Sequence, residues 1–163
     1  MAAVDYLLEI DGIKGESTDA KLAGTIEIES FSWGATNTGA HSSGTGGGAG
    51  KVAYQDMHFT TAVNKASPAL MLACAKGQHI KKAVLHVRKQ AGSEQAEYYT
   101  ILMEDLLISS YQSGGHGSGS SIPTDQFSLN FTKIKFSYKP QKPDGGLDSA
   151  VEGGWDVKKN QPY

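Results

Sequence analysis

Asp56 and His58 stand two residues apart in a run of strand-forming residues, so on a pleat their side chains share a face. An acid that orients an imidazole is part of a hydrolytic triad, but the nucleophile is missing: no serine or cysteine sits in a strand-to-helix elbow. The five histidines, His41, His58, His79, His86 and His116, include no pair at the i, i+4 spacing that aims two imidazoles at one metal from a helix. No metal centre is expected. Cys74 lies among Leu70, Met71 and Leu72, the setting of a small buried hydrophobe rather than an activated nucleophile. Glu104 and Asp105 are neighbours in an extended segment, and a regular pleat sends neighbours to opposite faces, which keeps them from acting together on one substrate.

The tract Gly44-Thr45-Gly46-Gly47-Gly48-Ala49-Gly50-Lys51 invites a phosphate reading, because backbone amides without side chains can cradle an anion at a helix start. A P-loop, however, needs glycine where Thr45 stands and a hydroxyl where Val52 stands. A dinucleotide fingerprint drawn through Gly44, Gly46 and Ala49 lacks its strand-turn-helix context, since Val52-Ala53-Tyr54-Gln55-Asp56-Met57 reads as a strand. The tract is therefore a long loop. No cofactor is implied, and the residues assemble no active site: the chain is read as a non-enzyme.

The elements around these residues are mostly strands. Tyr6, Leu8 and Ile10 alternate with Asp5, Leu7 and Glu9 and end at Asp11-Gly12. In Thr25 to Trp33 the apolar residues change phase, Ile26 and Ile28 even, Phe31 and Trp33 odd, which predicts a bulge near Glu29-Ser30 and turns Glu27 and Ser32 outward together. Phe127, Leu129 and Phe131 against Ile134, Phe136 and Tyr138 repeat the fault, predicting a second bulge near Thr132-Lys133. Strands are also expected over Val52 to Thr60, Ala83 to Lys89, Glu97 to Tyr111 and Gly154 to Lys158. Ser67 as N-cap, Pro68 in the first turn, strong helix formers, Lys76 and a Gly77 stop predict one helix over 67–76. The expectation is a single, mainly β domain over residues 1–163, bent by bulges toward a closed barrel, with one flanking helix.

Composition narrows the partners. Fifteen Lys and Arg against seventeen Asp and Glu leave a formal charge of −2, too little positive field to hold nucleic acid or an anionic membrane. No stretch is apolar enough to insert in a membrane, and the amino end lacks the basic and apolar segments of a cleaved signal peptide. One cysteine excludes an internal disulfide. Eleven of the twenty glycines fall in Gly34 to Gly50 and Gly114 to Gly119, and a loop as long as the first commonly serves a purpose such as reaching a neighbouring subunit. Head-to-tail contacts of that kind make rings or filaments.

The strings IDGIKGES (Ile10 to Ser17), FSWG (Phe31 to Gly34), GGGAGK (Gly46 to Lys51), SPALMLACAKGQHI (Ser67 to Ile80), SLNFTKIKFSYKPQKPDG (Ser128 to Gly145) and GWDVKKN (Gly154 to Asn160) span most of the chain in order. Together they resemble the Hcp family, the haemolysin co-regulated proteins of bacterial type VI secretion. The resemblance implies two β-sheets closed into a barrel with a flanking helix, related to phage tail-tube proteins and assembled as a hexameric ring. It further implies that rings stack into an inner tube, which a contractile sheath and baseplate drive outward behind a VgrG spike, with small effector proteins in the lumen. Assembly in the bacterial cytoplasm and export to the medium or a target cell follow from the same likeness. On this reading Ser32 and Glu27 face the lumen, Gly34, His41, Gly46, Gly47, Gly48 and Lys51 belong to an arm at the subunit seam, and Ser113, His116 and Ser118 contribute to ring stacking. A monomeric ligand-binding β-sandwich, with Trp33 and Trp155 as stacking platforms, is the alternative, and a small hydrolase using Asp56 and His58 is a second.

Overall fold

A computed structural model describes residues 4–37, 52–119 and 121–163. In chain order the elements are β1 (Val4–Ile10), β2 (Ile26–Glu27), β3 (Ser30–Ser32), β4 (Ala35–Asn37), β5 (Val52–Tyr54), β6 (Met57–Ala62), α1 (Ser67–Lys76), β7 (Ile80–Ala91), β8 (Glu94–Gly114), β9 (Thr124–Tyr138), β10 (Val151–Asp156) and β11 (Gln161–Pro162). The mainly β, one-helix architecture matches the expectation. The long antiparallel pair β8 and β9 organises the rest: β9 lies along β8, while its other edge takes β6 over Thr124–Leu129 and β10 over Lys133–Tyr138.

Hydrogen-bonded strand order is β11-β10-β9-β8-β7-β1-β2, with β6 and then β3 branching from β9. This sheet is open, which corrects the expected closed barrel. The physical reason lies at Ile28-Glu29, where the chain stops pairing with β1 and begins pairing with β6: Ile28 N–H donates to Tyr6 O and Glu29 N–H to Thr60 O, each at the end of a very short strand. The phase change predicted at Glu29-Ser30 is thus a break with a change of partner, not a bulge inside one strand. Ile26 and Ile28 are buried, and Phe31 and Trp33 pack against the same core.

The second phase change also differs in kind. Along β9 the buried residues pass from Phe127, Leu129 and Phe131 to Ile134, and along β8 from Ile101 and Met103 to Leu106 and Ile108. Yet Glu104 faces Lys133 and Leu106 faces Phe131, so neither strand has gained a residue. Both strands kink at one level, with Asp105 at φ 51°, a left-handed conformation that aspartate tolerates better than most side chains. A register shift occurs further on, between Ile108 and Ser110, which leaves Ser109 extra in β8.

The strand expected over Val52 to Thr60 divides at Gln55-Asp56 into β5 and β6. The first pairs only with β4, Ala35 opposite Tyr54 and Asn37 opposite Val52, as a separate two-stranded ribbon. Helix α1 has the predicted bounds and ends at Gly77 in the left-handed region, φ 59°, with Gln78 N–H closing onto Ala73 O. Its N-cap is Ala66 rather than Ser67. The Ser67 hydroxyl is engaged elsewhere, donating at 2.5 Å to Asp125 Oδ2 and accepting from Asn64 N–H at 3.0 Å. Asp125 is fully buried and also accepts from the Tyr111 hydroxyl at 2.9 Å, so one carboxylate ties the start of α1 to β8 and β9. Leu70 and Ala73 complete the contact by entering the core with Phe59, Phe127, Leu129 and Met57.

Candidate functional site

Four strands present a wall that looks away from the core. Cross-strand pairing aligns Ser32, His58, Ser128 and Ser110 in one row from β3 through β6 and β9 to β8, and Ser30, Thr60, Gln126 and Gln112 in the next. Between them runs the core-facing row Phe31, Phe59, Phe127 and Tyr111, as the pleat requires. Neither outer row contains Asp, Glu, Lys or Arg. At the edge, Asp56 accepts from Ser109 Oγ at 2.7 Å and Asn130 Nδ2 at 2.8 Å, while Ser128, itself buried, shares hydrogen bonds with Ser109 at 2.7 Å and Ser110 at 2.5 Å. Asp56 is therefore occupied by the wall's own donors, and no hydrogen bond joins it to His58. The triad-like reading has no geometric support here.

Ser32 sits in the wall and is exposed. Glu27 is exposed at its margin, opposite Leu7 of β1 and beside a hollow lined by Asp5, Ser17, Asp19 and Arg88. Gly34 accepts at its carbonyl from Gln55 N–H at 2.9 Å, at the root of the β4–β5 ribbon. His41, Gly46, Gly47, Gly48 and Lys51 lie outside the described residues. Ser113 pairs with Asp125 near the tip of the β8–β9 hairpin, and His116 and Ser118 are exposed beyond it. Trp33 is half-buried against Tyr54, Phe131 and Phe136, with ring centroids 5.4–6.3 Å away, and its indole nitrogen is buried. The Trp155 indole nitrogen is buried as well. Neither is an open stacking platform in this chain.

The outside of β1, β7 and the first half of β8 is charged. Arg88, 5% exposed, donates from Nη1 to Asp19 Oδ1 at 3.0 Å and from Nη2 to Asp19 Oδ2 at 2.6 Å and Asp5 Oδ2 at 3.2 Å. Asp19 also accepts the amides of Lys21 and Leu22, so Arg88 fastens the 11–25 loop to the sheet. The Arg88 hydrogen bond, helped by those two amides, holds the Asp19 carboxyl down at about 2. His86 Nδ1 lies 3.0 Å from Glu97 Oε2, which lowers Glu97, and His86 Nε2 lies 3.6 Å from Glu9. These pairings escaped sequence reasoning because the partners are distant along the chain. Asp125 did carry a signal, standing in phase with the core residues Phe127 and Leu129.

At the kink, Asp105 pairs with His79 and accepts from the Thr132 hydroxyl at 3.0 Å. With the pleat interrupted, Glu104 and Asp105 line one hollow together with His79, Lys81, Lys82 and Lys133. This corrects the expectation that the two carboxylates point to opposite sides. Among the described residues no group of His, Cys, Asp and Glu is arranged to hold a metal, and no helix is long and apolar enough to cross a membrane.

The family model for the type VI secretion system effector Hcp matches residues 7–138. Over 159 residues the chain is 42% identical to the protein hcp1 of Pseudomonas aeruginosa, an alignment that takes in 97% of this chain and 98% of that one. A solved structure described as a type six secretion system protein superposes with a TM-score of 0.92 at 29% identity, covering 99% of this chain and all of that one. Hcp1 from Salmonella typhimurium superposes with a TM-score of 0.80 at 31% identity over the same shares. The chain therefore belongs to the Hcp family, whose members are tube and effector components of type VI secretion.

Proposed function

We propose that six copies of this chain close into a ring around an open lumen, that the rings stack into the inner tube, and that the wall of β3, β6, β9 and β8 lines the hole. The observation that carries this reading is the wall itself: two cross-strand rows of hydroxyl, amide and imidazole groups, without an acid, lysine, arginine or aromatic anchor. Tight association depends on buried aromatic and arginine anchors more than on area. A wall lacking them holds small effector proteins weakly and lets them go. Ser32 lies within this wall and Glu27 at its margin. The β4–β5 ribbon begins the arm through which Gly34, His41, Gly46, Gly47, Gly48 and Lys51 reach the neighbouring subunit, while Ser113, His116 and Ser118 at the β8–β9 tip meet the next ring. The assembled tube forms in the cytoplasm and leaves the cell under the drive of a contractile sheath and baseplate, behind a VgrG spike. Its work is transport, with no reaction catalysed.

Particle imaging of the purified protein tests the proposal. Annuli with six-fold symmetry and an open centre are expected, and single globules at high concentration overturn it. Ser32→Trp is expected to keep the annuli while losing effector retention. Rings that fall apart on this substitution would move Ser32 from the lumen to the seam.

A further inference from the structure

Two of the chain's histidines have their acids supplied from within it. His79 pairs with Asp105, and His86 lies between Glu97 and Glu9, while His116 is exposed past the β8–β9 tip. His58 has no such acid. It stands mid-strand in β6, exposed, with Ser32 opposite on one side and Ser128 on the other, and no ion pair joins it to a described residue. Nor, among the described residues, do His, Cys, Asp and Glu gather around it as a metal-binding set.

The groups that face it are uncharged. Strand β3 contributes Ser30 and Ser32, β9 contributes Gln126 and Ser128, and β8 contributes Ser110 and Gln112. Two residues back on β6, Asp56 is held by Ser109 and Asn130 at the edge of the wall. Asp125 lies on the core side of β9, where Ser67 and Tyr111 bind it. Glu27 and Glu29 are exposed at the margin, before β3 begins. Within the two rows of the wall, His58 is therefore the one side chain that can take up a proton at mild pH.

Imidazole is the side chain that changes its charge between about pH 5 and 8. The next step rests on the reading that the wall lines the hole: six copies then set six imidazoles at one level of the lumen. Neutral, they are hydrogen-bonding groups like the serines and glutamines beside them. Protonated, they form a ring of positive charge in a confined passage whose two rows supply no counter-ion. The surface complementary to that ring carries carboxylates, and a cationic surface is repelled by it.

We propose that His58 gives the lumen a proton-dependent preference for its cargo: proteins that present a carboxylate-rich face are retained while the imidazoles are charged, and the preference vanishes when they are neutral. Contacts of this kind are exposed to water, so they weaken as salt rises.

The test uses rings of the full chain, wild type, His58→Gln and His58→Lys, with three fluorescent peptides as probes: glutamate-serine, glutamine-serine and lysine-serine. Binding is read by anisotropy at about pH 6 and about pH 8, in low and high salt, and ring mass by light scattering under each condition. Wild type is expected to bind the glutamate peptide about fivefold more tightly at the lower pH, with the gain lost in high salt. The lysine peptide is expected to bind more weakly there, and the glutamine peptide equally at both. His58→Gln is expected to keep the ring mass and lose the pH response, and His58→Lys to hold the glutamate peptide at both pH values. The assignment is overturned if wild type shows no pH response, if His58→Gln responds as wild type does, or if the glutamine peptide responds like the glutamate one. Loss of rings in both variants, or in wild type at the lower pH alone, would place His58 at the subunit seam and overturn it as well. Failure of wild type to form rings at either pH would instead sink the tube reading beneath it, and light scattering reports that separately.

Discussion

Strands β8 and β9 each cross two chemical territories. Before its kink, β8 presents Glu97 and Glu104 away from the core; after it, Ser110 and Gln112. Strand β9 makes the same change in reverse, with Gln126, Ser128 and Asn130 on one side of Thr132 and Lys133 and Lys135 on the other. Part of the charged territory is self-satisfied: Arg88 is closed by Asp19 and Asp5, and His86 sits between Glu97 and Glu9. The uncharged territory leaves hydroxyl and amide groups turned to the outside. One region spends its charges on holding the chain together; in the other, Ser109, Ser110, Ser128, Asn130 and Asp56 bond among themselves while Ser32, Gln112 and Gln126 stay exposed to whatever passes by. If that contrast is correct, substitutions in the first region should change stability and those in the second should not.

The largest expected effect is at Arg88. Arg88→Ala leaves Asp5 and Asp19 without their counter-ion and frees the 11–25 loop from the sheet. Breaking a buried ion pair on one side costs about 3–5 kcal/mol, whereas Ser32→Ala, at an exposed position of the wall, is expected to stay within about 0.5 kcal/mol. Urea unfolding at one fixed protein concentration checks both. A loss at Arg88 no larger than at Ser32 would erase the contrast.

Acid titration gives an intermediate effect with a definite sign. Asp19 is held at about 2, below the 3.8 of an ordinary aspartate, so the unfolded chain binds its proton first as pH falls. Its contribution to stability is complete above about pH 4 and is lost as pH falls through 2, with Arg88 charged throughout. Asp19→Asn is expected to lower stability at neutral pH and to flatten the acid limb over that interval. An acid limb identical to wild type would show that the Arg88 pair does not govern it.

Local pattern revealed much of this fold, and its limits are physical. The helix over 67–76, closed by Gly77, could be read from composition because capping glycines and helix formers act within a few residues. The changes of phase at Glu29-Ser30 and Thr132-Lys133 were visible too, but alternation reports only that the face changes. It does not distinguish a bulge from a break with a new partner, as at Ile28-Glu29, or from two strands kinking at one level, as at Asp105 and Thr132. Closure of the sheet was overestimated for the same reason, since strand pairing belongs to two segments and neither encodes it alone. Of the candidate site, Ser32 could be placed on the outward side from the phase of Phe31 and Trp33. The wall around it could not, because His58, Ser128 and Ser110 come together only through register. Arg88 and Asp19 are 69 residues apart, and no local signal joins them.

The smallest effect is the most informative about the wall. Gln126 and Gln112 stand directly opposite each other on β9 and β8. Replacing them with Lys and Glu creates a cross-strand ion pair in a region that has none, and opposite charges in that geometry contribute about 0.2–1 kcal/mol. A cycle of Gln126→Lys, Gln112→Glu and the double variant, measured by chemical unfolding, is expected to show favourable coupling of about 0.5 kcal/mol that shrinks in high salt. The fold would then accept charge here as readily as it accepts the glutamines, so the absence of charge cannot be a requirement of folding and must answer to what the wall meets. A destabilisation above about 1 kcal/mol in the double variant would reverse that conclusion, because an exposed pair costs so much only where the surface is already packed against something.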